Sequence, residues 1–285
     1  MPFVNKADEE CKRIVRKILT EGGKDISPRA HWKDGTPAHT LSINGVMSQY
    51  DISKGEFPLL TLRPVVVKMS IAELLWIYQK QSNSLDLLKE MGVTWWDPWD
   101  IGDRTIGSCY GETVRRHDLM NYLLNSISDN PDSRYHIINL WQVSDFEEPH
   151  GLKPCCYQTN FNVRHMEDGD YLDMSLYQRS CDYLTAGCTV NQLQYCIFMH
   201  LIANHFGYKP GIFTWFAQNV QIYDRHLENA KIMLERESIE CHPYVNINPD
   251  KKDFYSLDLD DIKIMDYPID KIKEINPQLK FEVAI

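Results

Sequence analysis

Residues 154–182 read PCCYQTNFNVRHMEDGDYLDMSLYQRSCD, and the fold is decided by what this stretch becomes. From Tyr157 to Val163 the polar Gln158, Asn160 and Asn162 interleave with Tyr157, Phe161 and Val163, the period of a half-buried strand. Leu172 to Tyr177 is a second strand-like run, separated from the first by the polar RHMEDGD. Pro154 fixes the entry to the first strand, with Cys155 and Cys156 beside it, and Arg179 follows the second. If the two strands are neighbours, Arg179 comes close to Cys155. A nucleophilic cysteine needs a lowered pKa, usually from a nearby cation. Two readings follow. Cys155 and Arg179 form a thiolate site, or Cys155 and Cys156 are packing residues and Arg179 is a surface charge.

Outward from this stretch, Tyr135 to Trp141 reads as a third strand, Thr40 to Tyr50 and Ile212 to Phe216 as two more. Leu193 to Phe206 is apolar but short for a membrane span, and it carries His200, Asn204 and His205, so it reads as a core helix. Near the N-terminus Cys11, Ile14, Val15 and Ile18 make one apolar face of a helix from Ala7 to Leu19, stopped by Gly22 and Gly23. Further helices are predicted over Ser70 to Lys80, His117 to Ser128 and Tyr223 to Arg236, with strand and loop after that. Helices around a mostly contiguous sheet imply an α+β fold, one domain over residues 1–285.

Composition narrows the function. Hydrophobic residues make up 43% of the 285, enough for a sizeable core, and the net charge is −10, which disfavours a non-specific nucleic-acid binder. An anionic substrate would need a local arginine cluster against that field. The opening MPFVNKADEECKRIVRK has charges where a signal peptide needs an apolar run, and no stretch is long enough for a membrane span. A cytoplasmic protein without a membrane partner is expected. The eight cysteines include no CxxC pair, so no metal site is expected, and most of them read as small buried hydrophobes. Glu73 interrupts the apolar run Ile71-Ala72-Glu73-Leu74-Leu75-Trp76. It lies either on a wet face, the favoured reading, or is buried with a raised pKa suited to proton transfer.

These segments together resemble the thymidylate synthase family. Leu176 to Asp182 is similar to its LYQRSxD segment, Pro154-Cys155 to its catalytic Pro-Cys, and Glu73 to Trp76 to its ELLW helix. Trp96-Asp97-Pro98-Trp99 resembles WDxW, Tyr110-Gly111 its YG, Pro131 to Arg134 its PDSRR, and Val283-Ala284-Ile285 its closing tail. Thr36 to Ser42 looks like the early loop of a Bacillus-type branch. The matches run in order along almost the whole chain.

The resemblance implies a single-domain fold with a mixed sheet, one face of which forms a homodimer interface. It implies one-carbon transfer from 5,10-methylenetetrahydrofolate to C5 of a pyrimidine nucleoside monophosphate, with no metal. Cys155 as thiolate would attack C6 and make C5 nucleophilic, and Glu73 with ordered water would manage the C5 proton and the folate amine. Hydride from the folate would then give a methyl group, or water a hydroxymethyl group. Arg179, Ser180, Gln178, Asn191, Gln221, Tyr223 and Tyr110 are the implied nucleotide contacts, with Arg134 reaching the partner subunit's phosphate. Asp182, Trp96, Trp99, Arg63 and Ile285 are the implied folate contacts.

Several family positions are altered. The second Arg of PDSRR is Tyr135, an early-loop Arg is Gly35, and many members have Trp where Val114 stands. The sugar loop's His is Gln221, and the base loop LGLPFN reads Thr185 to Asn191, apparently lengthened by one residue. Asn191 leaves the base undecided, since an amide can flip to suit uracil or cytosine, and deoxycytidylate hydroxymethylases use Asp there. The clustered changes point first to a hydroxymethylase acting on CMP. The alternatives are methylation of dUMP by a thymidylate synthase, a dCMP or dUMP hydroxymethylase, and an inactive nucleotide-binding paralogue.

Overall fold

The structure is a computed structural model that describes residues 5–285, so the first four residues of the charged N-terminal stretch lie outside the described residues. Helix α1 (Lys6–Glu21) begins where the Asn5 side chain accepts the N–H groups of Ala7 and Asp8. Its Cys11, Ile14, Val15 and Ile18 are buried as their spacing predicts. It ends at Gly22, whose N–H donates to the Ile18 carbonyl oxygen. A Cβ at Gly22 would stand 2.3 Å from that oxygen, so only glycine fits this ending.

A six-stranded sheet follows, in the spatial order β1 (Gly23–Lys24), β2 (Thr40–Asp51), β6 (Lys209–Tyr223), β5 (Gly169–Asp182), β4 (Cys156–Met166) and β3 (Ile137–Asn139). All its pairings are antiparallel except β5 with β6. A parallel pair needs a crossover, and here a wide π-type helical turn (Tyr183–Asn191) running into a long helix supplies it. Leu172, Met174, Leu176 and Gln178 of β5 point to the core. The opposite face carries a row that the register lines up across three strands, Met47, Phe216 and Tyr177, with the last two rings stacked at 5.1 Å.

Under the core face lie α2 (Val67–Tyr78) and α6 (Gln192–Phe206), whose residues from Gln192 to Ala203 are all buried. Shorter helices α3 (Leu85–Glu90), α4 (Gly111–Arg116), α5 (Leu119–Asp129), α7 (Leu227–Glu235) and α8 (Ile269–Ile275) cover the edges. A second, two-stranded sheet pairs β7 (Tyr244–Ile247) with β8 (Ile262–Met265). The α+β class is as predicted, and no helix among the described residues is long and apolar enough to cross a membrane.

Four expectations need correction. The strand expected over Tyr135 to Trp141 shrinks to three residues, and Tyr135 stands 74% exposed outside it. The helix expected from Tyr223 starts at Leu227, because Tyr223 is still paired with Thr40 in the sheet. The base loop expected over Thr185 to Asn191 is helical, part of the π-type turn Tyr183–Asn191. The favoured wet-face reading of Glu73 fails, since Glu73 is 7% exposed and every residue of α2 from Ser70 to Tyr78 is buried.

Candidate active site

Cys155 sits at the start of β4, just before a register shift between Cys156 and Gln158, and the backbone N–H of Arg179 donates to its carbonyl at 2.9 Å. The strands therefore meet as the sequence suggested, and Arg179 Nη2 lies 3.5 Å from the Cys155 Sγ. The guanidinium is held there by donating to the carbonyls of Pro154 (2.9 Å) and Lys153 (2.6 Å), with its carbon 5.5 Å from the Trp141 ring centre. Burial pushes the Cys155 thiol up, and the charge of Arg179, the Tyr110 hydroxyl and the charge of Arg29 oppose it. Cys155 is half-buried, whereas the other seven cysteines are buried, Cys156 among them. So the packing reading suits Cys156 and not Cys155.

Tyr110 braces this corner. Its hydroxyl accepts the Cys155 N–H at 3.0 Å, and its backbone is held at φ 50°, ψ −111°. A tyrosine rarely adopts that left-handed conformation, and such strain persists only where the surroundings enforce it. The next residue, Gly111, touches Ser82 so closely that a Cβ would lie 2.1 Å from its carbonyl oxygen.

Glu73 is walled in by three donors. Trp96 Nε1 donates to Oε1 at 2.6 Å, while Trp95 Nε1 (3.1 Å) and Gln194 Nε2 (2.8 Å) donate to Oε2. Burial raises its pKa, and these three hydrogen bonds pull the other way. A carboxyl placed so can hold a proton nearer neutrality than a solvated one.

The residues expected around a nucleotide divide into two groups. Gln178 is buried, accepts from Trp215 Nε1 (2.8 Å) and donates to Asn191 Oδ1 (2.9 Å). Asp182 pairs with Gln221 in the sheet and Ser180 with Asn219, which gathers Ser180, Gln221 and the end residue Tyr223 at one end of β5 and β6. Tyr223 packs edge-on to Trp32 at 5.5 Å, and its hydroxyl is pushed up to about 12, mostly by burial. Arg134 does not join them: it is exposed before β3, with no hydrogen bond or ion pair among the described residues.

Of the residues expected to meet the folate, Asp182 is half-buried, its pKa is raised by burial, and its buried Oδ1 has no partner. Arg63 is also buried. It donates to the Leu184 carbonyl (2.6 Å), lies 4.7 Å from the Phe281 ring centre and leaves its Nε unpaired. Trp96 packs edge-on against Tyr110 (4.9 Å) and Trp99 (5.4 Å). Ile285 exchanges two backbone hydrogen bonds with His31, at 2.7 and 3.0 Å, which docks the tail beside Trp32. Among the described residues no cluster of His, Cys, Asp and Glu could hold a metal.

A sequence profile described as "Thymidylate synthase" matches residues 9–285. The chain belongs to the thymidylate synthase family. Members of this family are folate-dependent one-carbon transferases. Similar relatives include thymidylate synthases of Streptococcus gordonii and Streptococcus pneumoniae, each 44% identical over 285 residues, covering 99% of this chain and all of theirs. The solved structure of a thermostable thymidylate synthase A from Bacillus subtilis superimposes with a TM-score of 0.86 at 35% identity, covering 98% of this chain and 99% of that one. These thymidylate synthase relatives do not support the hydroxymethylase branch expected first.

Three site residues escaped the sequence reading. Trp95 and Gln194 stand beside Trp96 and inside the α6 run, and only the fold turns them to Glu73. Arg29 acts on both Cys155 and Tyr223. No motif in the surrounding Ser27-Pro28-Arg29-Ala30 marks it in the sequence. Gly35 occupies a tight turn at φ 83°, its N–H donating to the Trp32 carbonyl, where an arginine would be strained.

Proposed function

We propose that this protein methylates C5 of dUMP to give dTMP, with 5,10-methylenetetrahydrofolate as co-substrate, working as a homodimer. The observation that carries the chemistry is the Cys155 thiol 3.5 Å from the Arg179 guanidinium. The choice of dUMP over CMP is supported by relatives named thymidylate synthase at 44% identity.

In this reading the Cys155 thiolate adds to C6, and Arg179 favours the thiolate while binding the phosphate with its planar fork. Arg29 adds a cation on the same side, which offsets the phosphate ligand lost at Tyr135. Tyr110 fixes the cysteine backbone. Asn191 meets the base edge, Gln221 and Tyr223 the sugar, Ser180 the phosphate or base. Glu73, held by Trp95, Trp96 and Gln194, manages the C5 proton. The folate fits two unpaired buried atoms: Asp182 Oδ1 accepts from the pterin and Arg63 Nε is a donor left to offer, with Trp96 and Trp99 as flat walls and Ile285 closing the tail. When bound, the folate supplies the methylene carbon and the hydride.

The dimer reading draws on the row Met47, Phe216 and Tyr177 on the outer sheet face, an apolar stripe that a second copy would cover. Arg134, exposed and unpaired, then reaches the partner's phosphate. The test is product mass: the protein is incubated with the folate and, separately, dUMP, dCMP, UMP and CMP. Gain of one CH2 on dUMP with dihydrofolate rising supports the proposal. Gain of one CH2O on CMP without dihydrofolate overturns it in favour of the hydroxymethylase suggested by Tyr135 and Gln221.

A further inference from the structure

Arg104 holds a backbone conformation that glycine takes without strain. Its φ is 63°, in the left-handed region that side chains rarely adopt. It closes a turn in which the Ile101 N–H donates to the Thr105 carbonyl and the Arg104 N–H to Asp100 Oδ1, both at 3.0 Å. Its guanidinium grips three carboxylates. Nε donates to Asp86 of α3 at 3.0 Å, and Nη1 donates to Asp100 at 3.2 Å and to Asp97 at 3.4 Å. These ion pairs are partly exposed, and such pairs add little to stability. Stability alone therefore does not account for the strain, and strained residues gather where function depends on geometry. The clamp completes a ring of contacts around Glu73. Trp76 of α2 donates to the carbonyl of Ser84, the cap of α3, at 3.0 Å. Arg104 joins α3 to the turn through Asp86 and Asp97. Trp96, the residue before Asp97, returns to α2 by donating to Glu73 at 2.6 Å.

We propose that Arg104 is a positioning residue: by gripping Asp86, Asp97 and Asp100 it fixes the turn that aims Trp96 at Glu73 and sets Trp96 and Trp99 against the folate. The inference rests on the proposed function, in which Glu73 manages the C5 proton and the two indoles wall the folate. Asp97 follows Trp96 directly, and Trp99 lies between Asp97 and Asp100, so any drift of the two aspartates passes into both rings. The Trp96 ring meets Trp99 at 5.4 Å and Tyr110 at 4.9 Å, so a shift there also reaches the residue that braces Cys155. A planar fork can hold several carboxylates at once, which a lysine ammonium does less well. Two backbone links between the turn and α3 do not need the side chain: the Leu85 N–H donates to the Arg104 carbonyl at 2.9 Å, and Ser84 pairs with Thr105. Removing the guanidinium therefore loosens the aim of the turn and leaves the fold standing.

The test compares Arg104→Gly and Arg104→Lys with wild type in the full chain, by initial rates with dUMP and methylenetetrahydrofolate and by melting temperature. Glycine relieves the backbone strain and removes the clamp, whereas lysine keeps the strain and part of the charge. Melting is read in concentrated salt, where repulsion among the freed carboxylates is screened. Arg104→Gly should melt no lower than wild type, yet its folate KM should rise about tenfold and its kcat fall about tenfold, with the nucleotide KM within about twofold. Arg104→Lys should melt no higher than wild type and lie between the two in folate KM. Stability and activity then run in opposite orders, which a merely structural role does not produce. Folate and nucleotide KM rising together in step with a lower melting temperature would overturn the inference. So would a folate KM and kcat within about twofold of wild type in Arg104→Gly, and both outcomes leave the proposed function standing. A wild type that does not turn over dUMP with the folate overturns the proposed function and this inference with it.

Discussion

Glu73→Gln separates the chemistry of the buried carboxyl from its packing. In the wild type Oε2 takes the Trp95 and Gln194 donors and Oε1 takes Trp96 at 2.6 Å. The variant has one acceptor oxygen. It satisfies most donors at the Oε2 position, which leaves its NH2 facing the Trp96 indole N–H. That lost, charge-assisted bond costs about 1–3 kcal/mol. Against it, a buried charge is removed, which offsets a similar amount. Stability near neutral pH should thus stay within about 2 kcal/mol of wild type. Catalysis has no such compensation: an amide cannot carry the proton, so kcat should fall by about 10²–10⁴. The nucleotide KM should hold.

The pH dependence gives a second reading of the same variant. The pKa of Glu73 is raised on folding, so its favourable contribution is full below the ordinary value of 4.5 and is lost as pH rises through the folded value. Gln lacks that loss. The melting temperature of Glu73→Gln relative to wild type should therefore climb as pH rises from about 4 to 7. A kcat within tenfold of wild type, or a melting difference that ignores pH, would refute the account of Glu73.

Removing the cation in Arg179→Leu should raise the Cys155 thiol pKa, shifting the pH profile of its alkylation by a small electrophile to higher pH; an unshifted profile argues against the pairing. Asn5→Ala removes the cap of α1 and should cost about 1 kcal/mol in urea unfolding. Gly111→Ala drives a methyl into the Ser82 carbonyl and should cost about 1–3 kcal/mol, with activity falling as Tyr110 shifts. Deleting Ile285 removes its two backbone bonds to His31 and should raise the folate KM more than the nucleotide KM, measured by initial rates.

The sheet and the long helices were legible because their burial follows simple periods: β4 buries Phe161 and Val163 between the more exposed Asn160 and Asn162 as read, and α1 buries the face its spacing marks. The short helices α3, α4 and α8 span two turns at most, too few for a period to register. The pairing of Cys155 with Arg179 was readable because both flank consecutive strands, β4 and β5, which pair antiparallel as a hairpin. Glu73 could not be placed from α2 alone, since nearly every residue of that helix is apolar and no wet face is marked. The orientation of Asn191 was also beyond the sequence. It depends on an indole from β6, a strand reached only after the α6 crossover. Arg29 was hidden because its place in the loop, not its neighbours, brings it to the site.

The most direct test follows the C5 hydrogen itself. dUMP tritiated at C5 is incubated with the protein and methylenetetrahydrofolate, and tritium released to water is counted for wild type and Cys155→Ala. Rapid release by wild type and none by the variant is the predicted result, because C5 is activated only through the C6 adduct on Cys155. Release that survives in Cys155→Ala, or none from dUMP while labelled CMP loses its tritium, would contradict it.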